Sequence, residues 1–108
     1  MDIKTSEKDG ITLVEINGEI NLSSSPELKK AAEKFKTNKV IINLARVAYI
    51  DSSGLATLVE ILKKTKGKGG SLGLTNVSDK VRGLFEITKL DKLFGIYPTD
   101  DLALKNLK

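Results

Sequence analysis

The chain contains no cysteine and no histidine. Without cysteine there can be no disulfide and no thiolate metal site, and without histidine there is neither an imidazole ligand nor a histidine general base. Most hydrolase and zinc chemistry is excluded at once. No cluster of carboxylates compensates, so the expectation is a chain that is not an enzyme and holds neither metal nor cofactor. Arginine and aromatic residues are scarce too: Arg46 and Arg82 against 18 Lys and Arg in all, with three Phe, two Tyr and no Trp. The formal net charge of +4 therefore comes from dispersed lysines. Those offer few bidentate forks and few stacking platforms, so direct nucleic-acid binding is not expected. No run of eighteen apolar residues exists to span a membrane, and the amino-terminal MDIKTSEKDG is too polar for a signal peptide. The expectation is a soluble, cytoplasmic protein with no membrane contact.

At 108 residues the chain is long enough to bury one core unaided and is read as one domain over 1–108. Its organising stretch is Val40 to Lys64. Val40, Ile41, Ile42 and Leu44 make the near-continuous apolar run of a strand covered on both faces, broken only by Asn43. Leu55, Leu58, Val59 and Leu62 then recur at i, i+3, i+4 and i+7, which marks the passage into an amphipathic helix. Between them stands Asp51-Ser52-Ser53-Gly54, where Asp51, Ser52 or Ser53 can cap the first backbone N–H groups. The junction lies at the carboxyl end of a strand, where open α/β sheets bind ligands and partners.

Upstream, Ile3 to Glu7 and Ile11 to Ile16 read as two strands turning at Asp9-Gly10. Asn17-Gly18 is a hairpin signal leading to a third strand at Glu19-Ile20. Ser24-Ser25-Pro26-Glu27 opens a helix, with Pro26 suited to its first position and Leu28, Ala31, Ala32 and Phe35 as its buried stripe. Downstream, Lys66-Gly67-Lys68-Gly69-Gly70 ends the central helix. It is not a phosphate loop, because such a loop needs its Lys-Ser or Lys-Thr to open a helix and this run opens the strand Ser71 to Thr75. Ser78 or Asn76 caps a third helix with Val81, Leu84, Phe85 and Thr88 at helical spacing. Phe94 to Tyr97 is a short last strand, and Thr99 caps a final helix with Asp100 and Asp101 in its first turn and Lys105 and Lys108 near its end, the charge order that suits the helix dipole. The fold class is α/β: a mixed sheet with antiparallel N-terminal strands and a parallel half, with helices packed against it.

Two catalytic readings of the central loop fail. A nucleophile elbow centred on Ser52 needs glycine where Ile50 stands, and no histidine can deprotonate the hydroxyl. A phosphoaccepting Asp51 of receiver type needs an early acidic pair for magnesium, which is missing.

The segments AYIDSSGLATLVEILKK, GGSLGLTNV, VRGLFEITKLDKLFGIYPT and INGEINLSSSPEL, in their order along the chain, resemble the STAS domain family, which includes bacterial anti-sigma factor antagonists. The resemblance covers almost the entire chain. It implies that Ser52, directly after the loop aspartate, is phosphorylated by a partner that is both anti-sigma factor and serine kinase. Unphosphorylated, such a domain captures that partner and frees the sigma factor, and a serine phosphatase resets the switch. Asp51, Ser52, Ser53, Gly54 and Asn21 are then the partner-binding residues. Asn21 departs from the family, which commonly has Asp after the G-E-apolar triplet. A second hypothesis of another class is a non-catalytic STAS accessory subunit docked on a transporter or a sensory scaffold, with Ser52 serving only as a helix cap.

Overall fold

The computed structural model describes residues 1–107. Strands β1 (Asp2–Lys8) and β2 (Ile11–Asn17) pair antiparallel. The turn between them places Asp9 at φ 53° and Gly10 at φ 78°, the two left-handed positions of a tight hairpin turn whose twist matches its strands. From β2 onward the sheet is parallel, through β3 (Lys39–Arg46), β4 (Ser71–Thr75) and β5 (Gly95–Tyr97), in the spatial order β1-β2-β3-β4-β5. The crossovers are α1 (Ser25–Glu33), α2 (Ser52–Gly67) and α3 (Asp79–Ile87), with a 3₁₀ turn at Leu90–Lys92 before β5 and a final helix α4 (Asp100–Leu107).

The third antiparallel strand expected at Glu19-Ile20 does not form. Asn17-Gly18 is a strand exit, not a hairpin: the Gly18 N–H, at φ 126°, bonds to the Arg46 carbonyl at 3.2 Å, and Ile20 makes a single parallel bridge to Ile50. Folding back along β2 would occupy the edge that β3 takes. Continuing beside the exit of β3 instead buries Ile20 and Ile50 almost completely, which favours the observed path.

Ile41 and Ile42 face opposite sides of the sheet and both are fully buried, as the apolar run predicts. Ile42 belongs to the larger core beneath α1, α2 and α3, with Val14, Leu28, Leu58, Leu74, Val81 and Phe85. Ile41 packs with Ile11, Ala103 and Leu104 beneath α4. Asn43, the one break in the run, donates to the Asp100 carboxylate at 3.2 and 3.3 Å, and the Thr75 hydroxyl bonds to the same group, which ties α4 to β3 and β4. Thr99 caps α4 as expected, accepting from the Leu102 N–H at 3.3 Å.

The predicted stripe of α2 does face the core, with Leu55 and Val59 packed against it, but the buried face is wider than predicted. Leu58 and Leu62 are core, but Ile61, Gly54, Thr57 and Thr65 join them, while Leu55 and Val59 are only half-buried. Thr57 and Thr65 tolerate burial because their hydroxyls donate to the Ser53 and Ile61 carbonyls, one turn back, at 3.0 and 2.7 Å. A count of apolar residues alone cannot see them. Phe35 lies past the end of α1 and is half-buried, and Thr88 is an exposed residue at the end of α3.

The lysine and glycine run ends α2 and opens β4, with Gly69 at φ 78°. A Cβ on Gly70 would overlap the Asn38 carbonyl oxygen and lie 2.8 Å from the Asn38 Cβ. At the sheet edge, β1 pairs only with β2, and all its residues except the half-buried Ile3 are exposed.

Candidate functional site

The site forms where β2 and β3 end and two loops, 18–24 and 47–51, meet. The Ile20 N–H donates to the Tyr49 carbonyl and the Asp51 N–H to the Ile20 carbonyl, each at 3.1 Å. The first turn of α2 settles directly on this bridge. A Cβ on Gly54 would press into the Ile20 carbonyl oxygen and lie 2.8 Å from both the Ile20 and Ile50 Cγ2 atoms. Gly54 is therefore required by close approach and not by its φ.

Of the three cap candidates, Asp51 is the cap. Its backbone is extended, and Oδ1 accepts from the Gly54 N–H at 2.8 Å. Its other oxygen, Oδ2, accepts from the Leu22 N–H at 3.1 Å. One carboxylate thus satisfies an orphan donor of α2 and tethers the other loop. Ser52 is the first helical residue and is exposed, and among the described residues no partner engages its hydroxyl. Ser52 and Ser53 are not caps, so the idea that Ser52 serves only as a helix cap is corrected. Half-buried Ser53 contributes its carbonyl to Thr57.

Asn21 organises the preceding loop. Its Oδ1 accepts from the Ser23 and Ser24 N–H groups, each at 3.0 Å, its Nδ2 donates to Glu19 at 3.3 Å, and its carbonyl accepts from the Ser25 hydroxyl at 2.7 Å. Ser24 stands at the start of α1 but its hydroxyl donates to the Glu19 carbonyl at 2.7 Å instead of capping the helix. An aspartate oxygen could do the acceptor work of Asn21 Oδ1. It could not donate to Glu19, and it would add a negative charge beside that residue.

The five predicted partner-binding residues, Asn21, Asp51, Ser52, Ser53 and Gly54, thus fall within one joined pair of loops and the helix turn seated on it. Pattern reading missed their neighbours. Leu22 is 74 % exposed and Tyr49 42 %, with the Lys80 ammonium 5.9 Å from the Tyr49 ring centroid. The signal for Leu22 was an apolar residue among asparagine and serines, with no periodicity to bury it.

A family model described as STAS domain matches residues 2–103. The chain belongs to the STAS domain family. An anti-sigma-B factor antagonist from Staphylococcus aureus is 32% identical over 99 residues, covering 89% of this chain and 92% of its own length. The crystal structure of an anti-sigma factor antagonist from Mycobacterium paratuberculosis superimposes with a TM-score of 0.89 at 29% identity, over 98% of this chain and 92% of that one. A sulfate transporter family protein from Wolinella succinogenes also shares the architecture, with a TM-score of 0.82 at 25% identity over 93% of this chain and 86% of that one. In this STAS domain no helix among the described residues is long and apolar enough to cross a membrane.

Proposed function

We infer that this STAS domain is an anti-sigma factor antagonist whose unphosphorylated form binds an anti-sigma factor with serine kinase activity, and that phosphate on Ser52 ends the binding. The observation that carries this reading is the unengaged, exposed Ser52 hydroxyl on a helix turn fixed by Asp51 and Gly54. The names of the relatives support the antagonist role. On this reading the protein acts in the cytoplasm as ligand and substrate, and a serine phosphatase restores it.

The chemistry follows from the placement. In transfer from ATP, the Ser52 oxygen forms the new bond to phosphorus, the bond between the γ-phosphorus and its bridging oxygen breaks, and the hydroxyl proton leaves to a base on the kinase. The nucleotide phosphates must therefore lie against Ser52 in the complex. Phosphoserine adds about −1.5 to −2 charges, next to Asp51 and opposite those phosphates. Juxtaposed like charges at an interface cost several kcal/mol, against about 1.4 kcal/mol per tenfold in affinity. In the free domain the positive end of α2 offsets part of this, on the order of 0.3–1 kcal/mol, so the modified chain stays folded.

Asn21 retains the loop geometry while removing one negative charge from the partner-facing surface, relative to the aspartate common in the family. The second reading, docking on a transporter or sensory scaffold, draws support from the likeness to the sulfate transporter family protein. Phosphosite mapping after incubation with the kinase and ATP, followed by calorimetric titration of both forms against the kinase with ADP, separates the two. Phosphate on Ser52 with a weakened complex is expected, whereas equal affinities for the kinase would favour docking.

A further inference from the structure

We propose that Leu22 is an apolar anchor for the kinase that phosphorylates Ser52, with Tyr49 as a second contact, so that recognition of the partner rests on side chains outside the phosphoacceptor turn. The inference deepens the proposed function and rests on it.

Leu22 leaves 74 % of its surface in water although its backbone is among the most constrained on this rim. Its N–H is bound to Asp51 Oδ2 at 3.1 Å, and the residues on either side are locked by the Asn21 Oδ1 bonds to Ser23 and Ser24. The Asn21 N–H bonds in turn to the Ser24 hydroxyl at 2.9 Å. An exposed leucine on a mobile loop would lose much of its binding energy to ordering. Here that ordering is already done in the free chain, which is the condition under which an exposed apolar side chain contributes most to affinity.

Geometry also commits the occupant. The Asp51 that holds the Leu22 backbone at 3.1 Å directly precedes Ser52, so a kinase that closes on the Ser52 hydroxyl meets the loop that carries Leu22. The face it brings needs an apolar socket beside its nucleotide site. Tyr49 precedes Asp51 by two residues, is 42 % exposed, and carries Lys80 of α3 over its ring. Aromatic side chains in such positions dominate many interfaces.

Exposure alone is not the argument, because Ile87 is 82 % exposed at the far end of α3 and has no tie to the Ser52 turn. Ile87→Ala is therefore the control. The test uses the full chain and its purified cognate anti-sigma factor kinase, with binding measured by calorimetry in ADP and phosphorylation rates measured in ATP. Leu22→Ala should weaken binding about tenfold or more, equivalent to about 1.4 kcal/mol. It should raise KM for phosphorylation while kcat changes by less than about twofold, since Ser52 itself is untouched. Leu22→Met should restore affinity to within about threefold, because the socket asks for volume and not for branching. Tyr49→Ala, checked for a retained unfolding transition, should also weaken binding.

Unchanged affinity of Leu22→Ala overturns the inference. So does an equal loss on Ile87→Ala. Failure of the functional reading looks different: no phosphate on Ser52 of the wild-type chain overturns both. Phosphorylated Ser52 with an insensitive Leu22 overturns this inference alone.

Discussion

At the carboxyl ends of the parallel strands, Gly54 lets α2 close on the Ile20 carbonyl, and at their amino ends Gly70 lets the turn after α2 close on the Asn38 carbonyl. Both ends are also crossed by loop-to-loop hydrogen bonds: the Leu22 N–H to the Asp51 carboxylate at one, and at the other the Ser71 N–H to the Asn38 carbonyl at 3.0 Å and Asn38 Nδ2 to the Lys68 carbonyl at 3.4 Å. What they carry differs. The carboxyl end exposes Leu22, Ser23, Tyr49 and Ser52 beside the charged Glu19 and Arg46, whereas the amino end exposes Lys34, Lys36, Lys66 and Lys68. Immobilising a lysine costs up to about 2 kcal/mol of side-chain entropy, while serine and leucine lose less. A fixed backbone is thus common to both ends, and the short and apolar side chains mounted on one of them distinguish the candidate site.

This contrast is open to breaking by substitution. The largest stability loss should come from Gly70→Ala, whose new Cβ meets backbone that cannot yield cheaply, at about 3 kcal/mol or more by urea denaturation. At temperatures where the variant is folded, its Ser52 should still be phosphorylated at the wild-type rate. Gly54→Ala should cost about 1–3 kcal/mol and, by pushing Ile20 away, should also lower affinity for the kinase. If the two variants impair phosphorylation equally at equal fraction folded, the distinction between the ends collapses.

Asp51→Ala sharpens the comparison within the end that carries the candidate site. It removes the α2 cap, worth about 0.5–2 kcal/mol, and frees the Leu22 N–H. Amide exchange at Leu22 should therefore accelerate while that of Ser71 does not change, and a Leu22 amide that stays protected would mean the loop is held by Asn21 alone. The smallest effects belong to side chains that hold nothing or keep their acceptor. Ser52→Ala should move stability by no more than about 0.5 kcal/mol, and Asn21→Asp by a similar amount, the latter read by whether affinity for the kinase changes while the melting temperature does not.

The main features of the fold were legible because they are written locally. The Val40 to Leu44 run, the switch to helical spacing after Gly54, and the caps, Thr99 and the pair Ser78 or Asn76, each declare an element within a few residues, and all the elements are found, with Ser78 the actual cap of α3. Asn17-Gly18 misled because a glycine with positive φ serves a hairpin and a strand exit equally well, and only the distant Arg46 carbonyl decides between them. The α2 face was read correctly but too narrowly, for a related reason: Thr57 and Thr65 are polar by type but apolar in effect once their hydroxyls are spent on the helix itself. Within the site, the motif exposed Asp51, Ser52, Ser53 and Gly54. The second role of Asp51 was hidden because its partner Leu22 lies 29 residues away.

The edge strand β1 bears on how such a regulator can be used. Its free margin carries Asp2, Lys4, Glu7 and Lys8, all exposed, and charged side chains on an edge discourage a second chain from adding its own strand there. A protein that acts by occupying another one for one obeys mass action, so its output depends on how far its concentration exceeds that of its target. An edge that resists strand addition closes one route by which copies could associate as expression rises. On the proposed reading, less of each added dose is then lost to assemblies built through that edge, and more of it is available to free sigma factor.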